Sequence, residues 1–340
     1  MKKKFSEKLK LWLRSDLRPH YPSVMVVGLA AVYGLISHLA FSDWLWNDDL
    51  FAILTCSFLF LMPFGLGALT VHFANKENQL SVSYAIMMPW VSCAVFVGLL
   101  VILALEAAIC IVLASPVLLV MSSLGGLVMW SIKSRRKGLQ NFALIFILGS
   151  PYMVTPFEVQ VETNTKTTIT HTQFHVAADA AAVWEEIKTV PAISEQEHSW
   201  NFFHTVGLPR PVSAELSYDG IGGQRDARFE DGLTFVETIT AWDEHQKISF
   251  TIEATSQELL PAPLSMIGSE QFDVLEGTYV IEPLEDGTVN LHLYSEHILN
   301  TRFNEYGAVW TNLIMNDLQS YILQIVKARA EESVIMKDEL

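Results

Sequence analysis

The chain has 340 residues, enough for two domains, and 51% of them are hydrophobic. Its formal charge of −15 is divided unequally: residues up to Phe157 carry 12 Lys+Arg against 7 Asp+Glu, and those from Glu158 on carry 10 against 30. So acidic a second half repels polyanions, which excludes nucleic acid and anionic lipid as partners and leaves a neutral ligand or a basic protein.

Residues 1–22 form a basic start with Lys2, Lys3, Lys4, Lys8, Lys10, Arg14 and Arg18. Residues 23–157 are almost continuously apolar. A bilayer-spanning helix needs about 20 such residues, so this stretch reads as about five spans near 24–41, 50–73, 81–103, 108–131 and 139–155. Ser42–Asp49, with Asp43, Asp48, Asp49, Trp44 and Trp46, suits a lipid interface between the first two spans. Lys133, Arg135, Arg136 and Lys137 lie between the fourth and fifth, and Lys76 and Glu77 between the second and third. Five spans put all the basic clusters on one side, which the positive-inside rule makes cytoplasmic. The acidic loop, Glu106 and the C-terminal half then face the other side. No cleavage pattern follows the basic start, so the first span is expected to remain as an anchor. Ser122-Ser123 and Gly125-Gly126 allow close helix packing. Neither a repeated half nor an intramembrane charge pair is visible, which argues against a transporter. Cys56, Cys93 and Cys110 fall in apolar segments without metal-ligand spacing and read as small core residues.

Residues 158–340 read as a separate soluble domain. Thr167–Val176 alternates as a strand, Asp179 is an expected N-cap, and Ala180–Thr189 is helical with Val183, Trp184 and Ile187 on one face. A short helical region follows around Glu195–His204. Ser213–Tyr218, Gly223–Glu230, Thr234–Trp242 and Lys247–Ala254 read as strands, separated by turns at Asp219-Gly220, Asp231-Gly232 and Asp243-Glu244. After a looser stretch with Pro261 and Pro263, Gly277–Pro283 and Thr288–His297 form a hairpin. Asn304–Arg329 is one long helix, its apolar stripe interrupted at Asn316/Asp317. The fold class is thus an α-helical membrane region plus an α+β domain, a curved antiparallel sheet around a long C-terminal helix.

Over residues 165–330 the chain resembles the START-like, helix-grip superfamily (SRPBCC: polyketide cyclases, aromatases and lipid-transfer proteins). The matching residues are Val176-Ala177-Ala178 with Ala182-Val183-Trp184, then Ala227–Gly232, Phe235-Val236-Glu237, Ala241-Trp242-Asp243 and Ile248-Ser249-Phe250. Gly277-Thr278-Tyr279, Glu282-Pro283, Asp286-Gly287-Thr288 and the final helix from Ile322 to Arg329 complete the order. Asp179 stands where the family usually has proline. The resemblance implies a hydrophobic pocket between sheet and C-terminal helix that holds a lipid, sterol, polyketide or aromatic molecule. It implies no shared catalytic set.

The pocket candidates are Arg228 and Glu237, as a pair on consecutive strands, and Tyr279, Tyr294 and Trp310 as lining aromatics. His171 and His175 share a strand face. His292 and His297 are an odd number apart and so face opposite ways. No metal site, cofactor or catalytic residue is identified. The leading reading is a membrane-anchored module that binds a hydrophobic small molecule or lipid on the extracytoplasmic side of a bacterial cytoplasmic membrane. The alternatives are a cyclase- or aromatase-type enzyme, and an acidic interaction subunit of a membrane complex. The terminal Lys337-Asp338-Glu339-Leu340 matches an ER-retention signal and gives ER membrane as the alternative location.

Overall fold

The computed structural model describes residues 21–41, 55–74, 81–135, 138–255 and 266–338. The basic start at Lys2–Arg18, the Ser42–Asp49 turn, Lys76, Glu77, Arg136, Lys137, Pro261, Pro263, Glu339 and Leu340 lie outside them. The chain divides into two compact units, Met1–Glu106 with Cys110–Glu162, and Thr163–Leu340 with the short piece Ala107–Ile109.

The first unit contains α1 (Tyr21–Phe41), a π-helical turn (Ser57–Leu61) leading into α2 (Met62–His72), α3 (Val82–Ile102), α4 (Ala108–Arg135) and α5 (Gln140–Glu158). Among the described residues, three helices are long and apolar enough to cross a membrane: Val24–Phe41, Val82–Ile102 and Ala108–Arg135. This corrects the expectation of five. The 5-residue π turn and 11-residue α2 together extend only ~24 Å, short of the ~30 Å hydrocarbon core. In α5, Gln140, Asn141, Ser150, Thr155, Glu158 and two prolines dilute the apolar run.

Side chains from two other helices satisfy both ends of the short helix. At its start, Glu158 accepts from the backbone N–H of Cys56, from that of Ser57 at 2.9 Å, and from the Ser57 hydroxyl at 2.6 Å. At its end, Lys133 Nζ donates to the carbonyls of His72 and of Val71, the latter at 3.3 Å. A carboxylate at the N-terminus and an ammonium at the C-terminus match the helix dipole and replace the missing backbone partners. Glycine lets α2 and α4 touch backbone to backbone. A Cβ on Gly67 would stand 1.8 Å from the Ser122 carbonyl oxygen, and one on Gly125 would stand 1.9 Å from that of Phe64.

The second unit contains β1 (Lys166–Val176), α6 (Ala180–Lys188), the one-turn α7 (Phe202–Thr205), β2 (Pro211–Leu216), β3 (Gln224–Phe229), β4 (Thr234–Asp243), β5 (Lys247–Ala254), β6 (Phe272–Pro283), β7 (Val289–Leu299) and α8 (Asn304–Asp338). The strands form one antiparallel sheet in the order β1-β7-β6-β5-β4-β3-β2. Register shifts in β2, β4 and β6 bend it. Strict alternation on β7 sends Val289, Leu291, Leu293, Ser295, His297 and Leu299 inward, where they are buried. α8 packs against β1, β7 and α6, and its Leu323, Val326 and Ala330 join Trp184, Ile187, Ile248 and Leu291 in the core. Asp179 is extended and caps α6, accepting from the Ala182 N–H at 2.8 Å. This is the helix-grip arrangement, a curved sheet closed by one long C-terminal helix.

Crossing by these three helices predicts a specific topology. A reporter at the N-terminus should read one side of the membrane, and reporters after Ala74, after Gly138 and at the C-terminus should read the other. Crossing by the Ser57–His72 helix would instead put the Ala74 reporter on the N-terminal side.

Candidate ligand site

The interior between the concave sheet face and α8 is incompletely filled. One cavity of about 60 Å³ is walled by Val190, Ile193 and Pro211 on one side and by Ile322, Ile325 and Val326 of α8 on the other. A second, of about 90 Å³, lies between Phe235, Phe250 and Leu293 of the sheet and Met315, Leu318 and Gln319 of α8. Both are bordered by Phe229, Glu237, Tyr279 and Ile322. A water needs ~10–15 Å³ of such space, so each holds a few water-sized groups or a small apolar moiety.

At this border lies a buried ion pair. Arg225 on β3 and Glu237 on β4 stand directly opposite in register. They are 2% and 9% exposed, and Arg225 Nε donates to Glu237 Oε2. Arg225 also donates through Nη1 to the Ile187 carbonyl at 2.7 Å, and its guanidinium carbon lies 4.4 Å from the centre of the Phe250 ring. Gly277 makes room for that ring, since a Cβ there would stand 2.4 Å from it. Burial pushes the Glu237 carboxyl above the usual carboxylate range, and the Arg225 charge opposes the shift only in part.

Tyr279 on β6 is 4% exposed. Burial pushes its phenol up to about 12, so it stays protonated. Its hydroxyl takes no hydrogen bond from the described residues, although it borders both cavities. The other polar groups of the second cavity are already engaged. Gln319 donates to Ser295 Oγ at 2.8 Å and to the Thr170 carbonyl at 3.2 Å, and accepts from Thr172 at 2.7 Å. The border of the two cavities therefore carries a carboxyl paired with a guanidinium, and a phenol, within a largely apolar lining.

The other candidates lie elsewhere. Arg228 does not pair with Glu237. The alternation that turns Arg225, Ala227 and Phe229 inward turns Arg228 out, where it is exposed and meets Asp226 at 3.5 Å. Tyr294 is on the outer face of β7 and stacks on His171, ring centres 4.3 Å apart. His171 Nε2 and His292 Nδ1 are 3.1 Å apart there, and His292 Nε2 is 3.3 Å from Glu282. Trp310 on α8 lines neither cavity. His297, on the inner face, is fully buried, and neither ring nitrogen has a well-formed hydrogen bond among the described residues; burial holds its pKa below the ordinary value, opposed in part by the Ser295 backbone. Arg225 was missed, although the sequence held a signal for it: Ala227 and Phe229 follow at steps of two and mark its face as the apolar one.

No protein-family model matches the chain, and no curated protein matches it. Solved structures do match. An uncharacterized protein from Rhizobium leguminosarum is 13% identical, the match covering 51% of this chain and 99% of that one with a TM-score of 0.32. A point mutant of norcoclaurine synthase from Thalictrum, bound to a transition-state analogue, is 16% identical, with 51% and 99% coverage and a TM-score of 0.32. The same synthase in complex with dopamine and hydroxybenzaldehyde is 17% identical, with 51% and 90% coverage and a TM-score of 0.31.

Removing Arg225 alone strands a buried carboxyl. Arg225→Met should lower unfolding stability by about 3–5 kcal/mol, and adding Glu237→Leu should recover most of the loss, as measured by chemical denaturation. A second dependence is on pH. Glu197 holds the Val190–Pro211 segment to α8: its carboxylate accepts from Arg329 Nε at 2.5 Å and from the Ser194 N–H at 2.8 Å. The Arg329 hydrogen bond, and then those from Ser194, lower its pKa from an ordinary 4.5 to about 2. The folded pKa lies below the unfolded one, so this contribution is present above pH 4.5 and lost as pH falls toward 2. A pH series of melting temperatures should show Glu197→Gln less acid-sensitive than the parent across that window.

Proposed function

We propose that this chain is a membrane-anchored module whose second unit binds a compact hydrophobic molecule, with the molecule's polar end at Glu237 and Tyr279. One observation carries the reading. The unpartnered Tyr279 hydroxyl and the Arg225–Glu237 pair lie where two apolar cavities meet. A ligand's hydroxyl, carbonyl or amine would supply the hydrogen bond that the Tyr279 hydroxyl lacks among the described residues. Cavities of about 60 and 90 Å³ favour a compact ligand over an intact diacyl lipid. The three apolar helices supply the anchor. In this reading the basic N-terminal segment favours a cytoplasmic N-terminus in a bacterial cytoplasmic membrane, and three crossings carry the second unit to the extracytoplasmic side together with the Lys133–Lys137 cluster, which five crossings would have kept in the cytoplasm.

A second reading draws on the same groups. A carboxyl raised by burial beside a phenol can move a proton, the chemistry of a cyclase-type enzyme.

Titration of the full chain in detergent with a series of short alkylphenols tests the binding reading. At least one should bind saturably, Tyr279→Phe should weaken it by about tenfold, the value of one hydrogen bond, and Ile322→Trp should abolish it by filling the space. Saturable binding that neither variant changes, or no binding across the series, overturns the proposal. Turnover lost in Glu237→Gln would favour the enzyme instead.

A further inference from the structure

The outer face of the second unit's sheet, turned away from both cavities, carries His171 and His175 on β1 and His292 on β7. The two strands pair antiparallel, with His171 opposite Tyr294 and Gln173 opposite His292. These four residues share one face, since residues two apart on a strand point the same way. His171 and His292 are therefore diagonal neighbours, within reach of each other's rings. His171 Nε2 stands 3.1 Å from His292 Nδ1. His175, two steps further along β1, bonds instead to Thr288 Oγ1 at 3.0 Å.

The surrounding hydrogen bonds fix where the protons sit. Glu282 on β6 accepts from the Asn290 amide at 3.1 Å, and the same oxygen lies 3.3 Å from His292 Nε2. A carboxylate can only accept there, so the neutral His292 ring carries its proton on Nε2 and turns the Nδ1 lone pair to His171. Without a metal, the proton on His171 Nε2 bridges the gap as an N–H···N bond. Tyr294 stacks on the His171 ring, centres 4.3 Å apart, and holds its orientation.

We propose that His171 Nε2 and His292 Nδ1 together bind one Cu(II) ion on this face. Two nitrogens ~2.0 Å from one ion and ~90–110° apart stand ~2.8–3.3 Å from each other, a range that contains the observed 3.1 Å. His171 has only to move its proton from Nε2 to Nδ1, so both ligands are neutral imidazoles and no proton is lost. Glu282 supports His292 through the other ring N–H, as carboxylates support metal-bound histidines. Gln173, directly opposite His292, places an amide oxygen as a third donor on the same face. Among the described residues, His, Cys, Asp and Glu form no group of three that could hold a metal ion, so water takes the remaining positions. Two imidazoles with oxygen donors suit tetragonal Cu(II), which heads the divalent affinity order, whereas Zn(II) wants three or four protein ligands.

The test titrates the full chain in detergent with Cu(II) in a non-coordinating buffer and reads electron paramagnetic resonance. One equivalent should give an axial spectrum, with spin-echo modulation from two imidazoles. His171→Gln and His292→Gln should each leave at most one imidazole and weaken binding by at least about tenfold, and Glu282→Gln, which keeps both ligands, should weaken it by about 10–100-fold. His175→Gln should leave affinity and spectrum as they are. Equal melting temperatures of the metal-free variants and parent separate lost ligation from a lost fold. An absence of binding overturns the proposal, as does a spectrum that neither His171→Gln nor His292→Gln alters. A single imidazole in the parent spectrum also overturns it. Several weak equivalents indifferent to the variants mean adventitious copper only, and count against the site in the same way.

Discussion

The buried pair of Arg225 and Glu237 constrains the whole interior of the second unit. Two ionised groups leave water together only if each is closely compensated. The compensation comes from four elements: β4 supplies Glu237, the end of α6 the Ile187 carbonyl, β5 the ring of Phe250, and β6 the glycine that lets that ring approach. A slip of one residue in β3 would turn Arg225 out and Arg228 in, placing a cation opposite Leu233 or Phe235 without the carboxylate, the carbonyl and the ring. The pair thus specifies strand register as well as site chemistry. It also keeps a polar surface at the meeting point of two apolar cavities, where apolar side chains would otherwise have closed the gap.

The first unit uses charge differently. Glu158 and Lys133 sit at opposite ends of the Ser57–His72 helix and complete its backbone hydrogen bonding. A helix too short to bring both its ends to water gains from such capping, because unsatisfied amides in an apolar setting cost several kcal/mol each. Lys133 therefore has a local task besides any part in orienting the chain. Contact between α2 and α4 at Gly67 and Gly125 follows the same economy of space: apolar lipid gives helices little reason to associate except close packing.

Much of the second unit was legible in its sequence. Period-two alternation marked the strands, the Asp179 cap opened α6, and the polar interruption of the last helix at Asn316/Asp317 is where Asn201 bonds to Asp317. The odd spacing of His292 and His297 put one on each sheet face. The site was only partly legible. Glu237 and Tyr279 border the cavities, whereas Arg228, Tyr294 and Trp310 do not. Residue type drew attention to Arg228, but face decides which side chain reaches the interior, and the apolar neighbours at 227 and 229 belong to Arg225.

The sequence by itself determined the division into an apolar and an acidic half, the order of the elements and the inward face of each strand, because these depend on local periodicity and composition. The tertiary structure alone decided three things. It showed that, among the described residues, the five apolar segments make three helices long and apolar enough to cross a membrane, because helix length depends on where caps and breaks fall. It paired Glu237 with Arg225, because pairing depends on the register between strands. It left space around Tyr279, because a cavity is a property of how faces far apart in the chain fail to fill the volume between them.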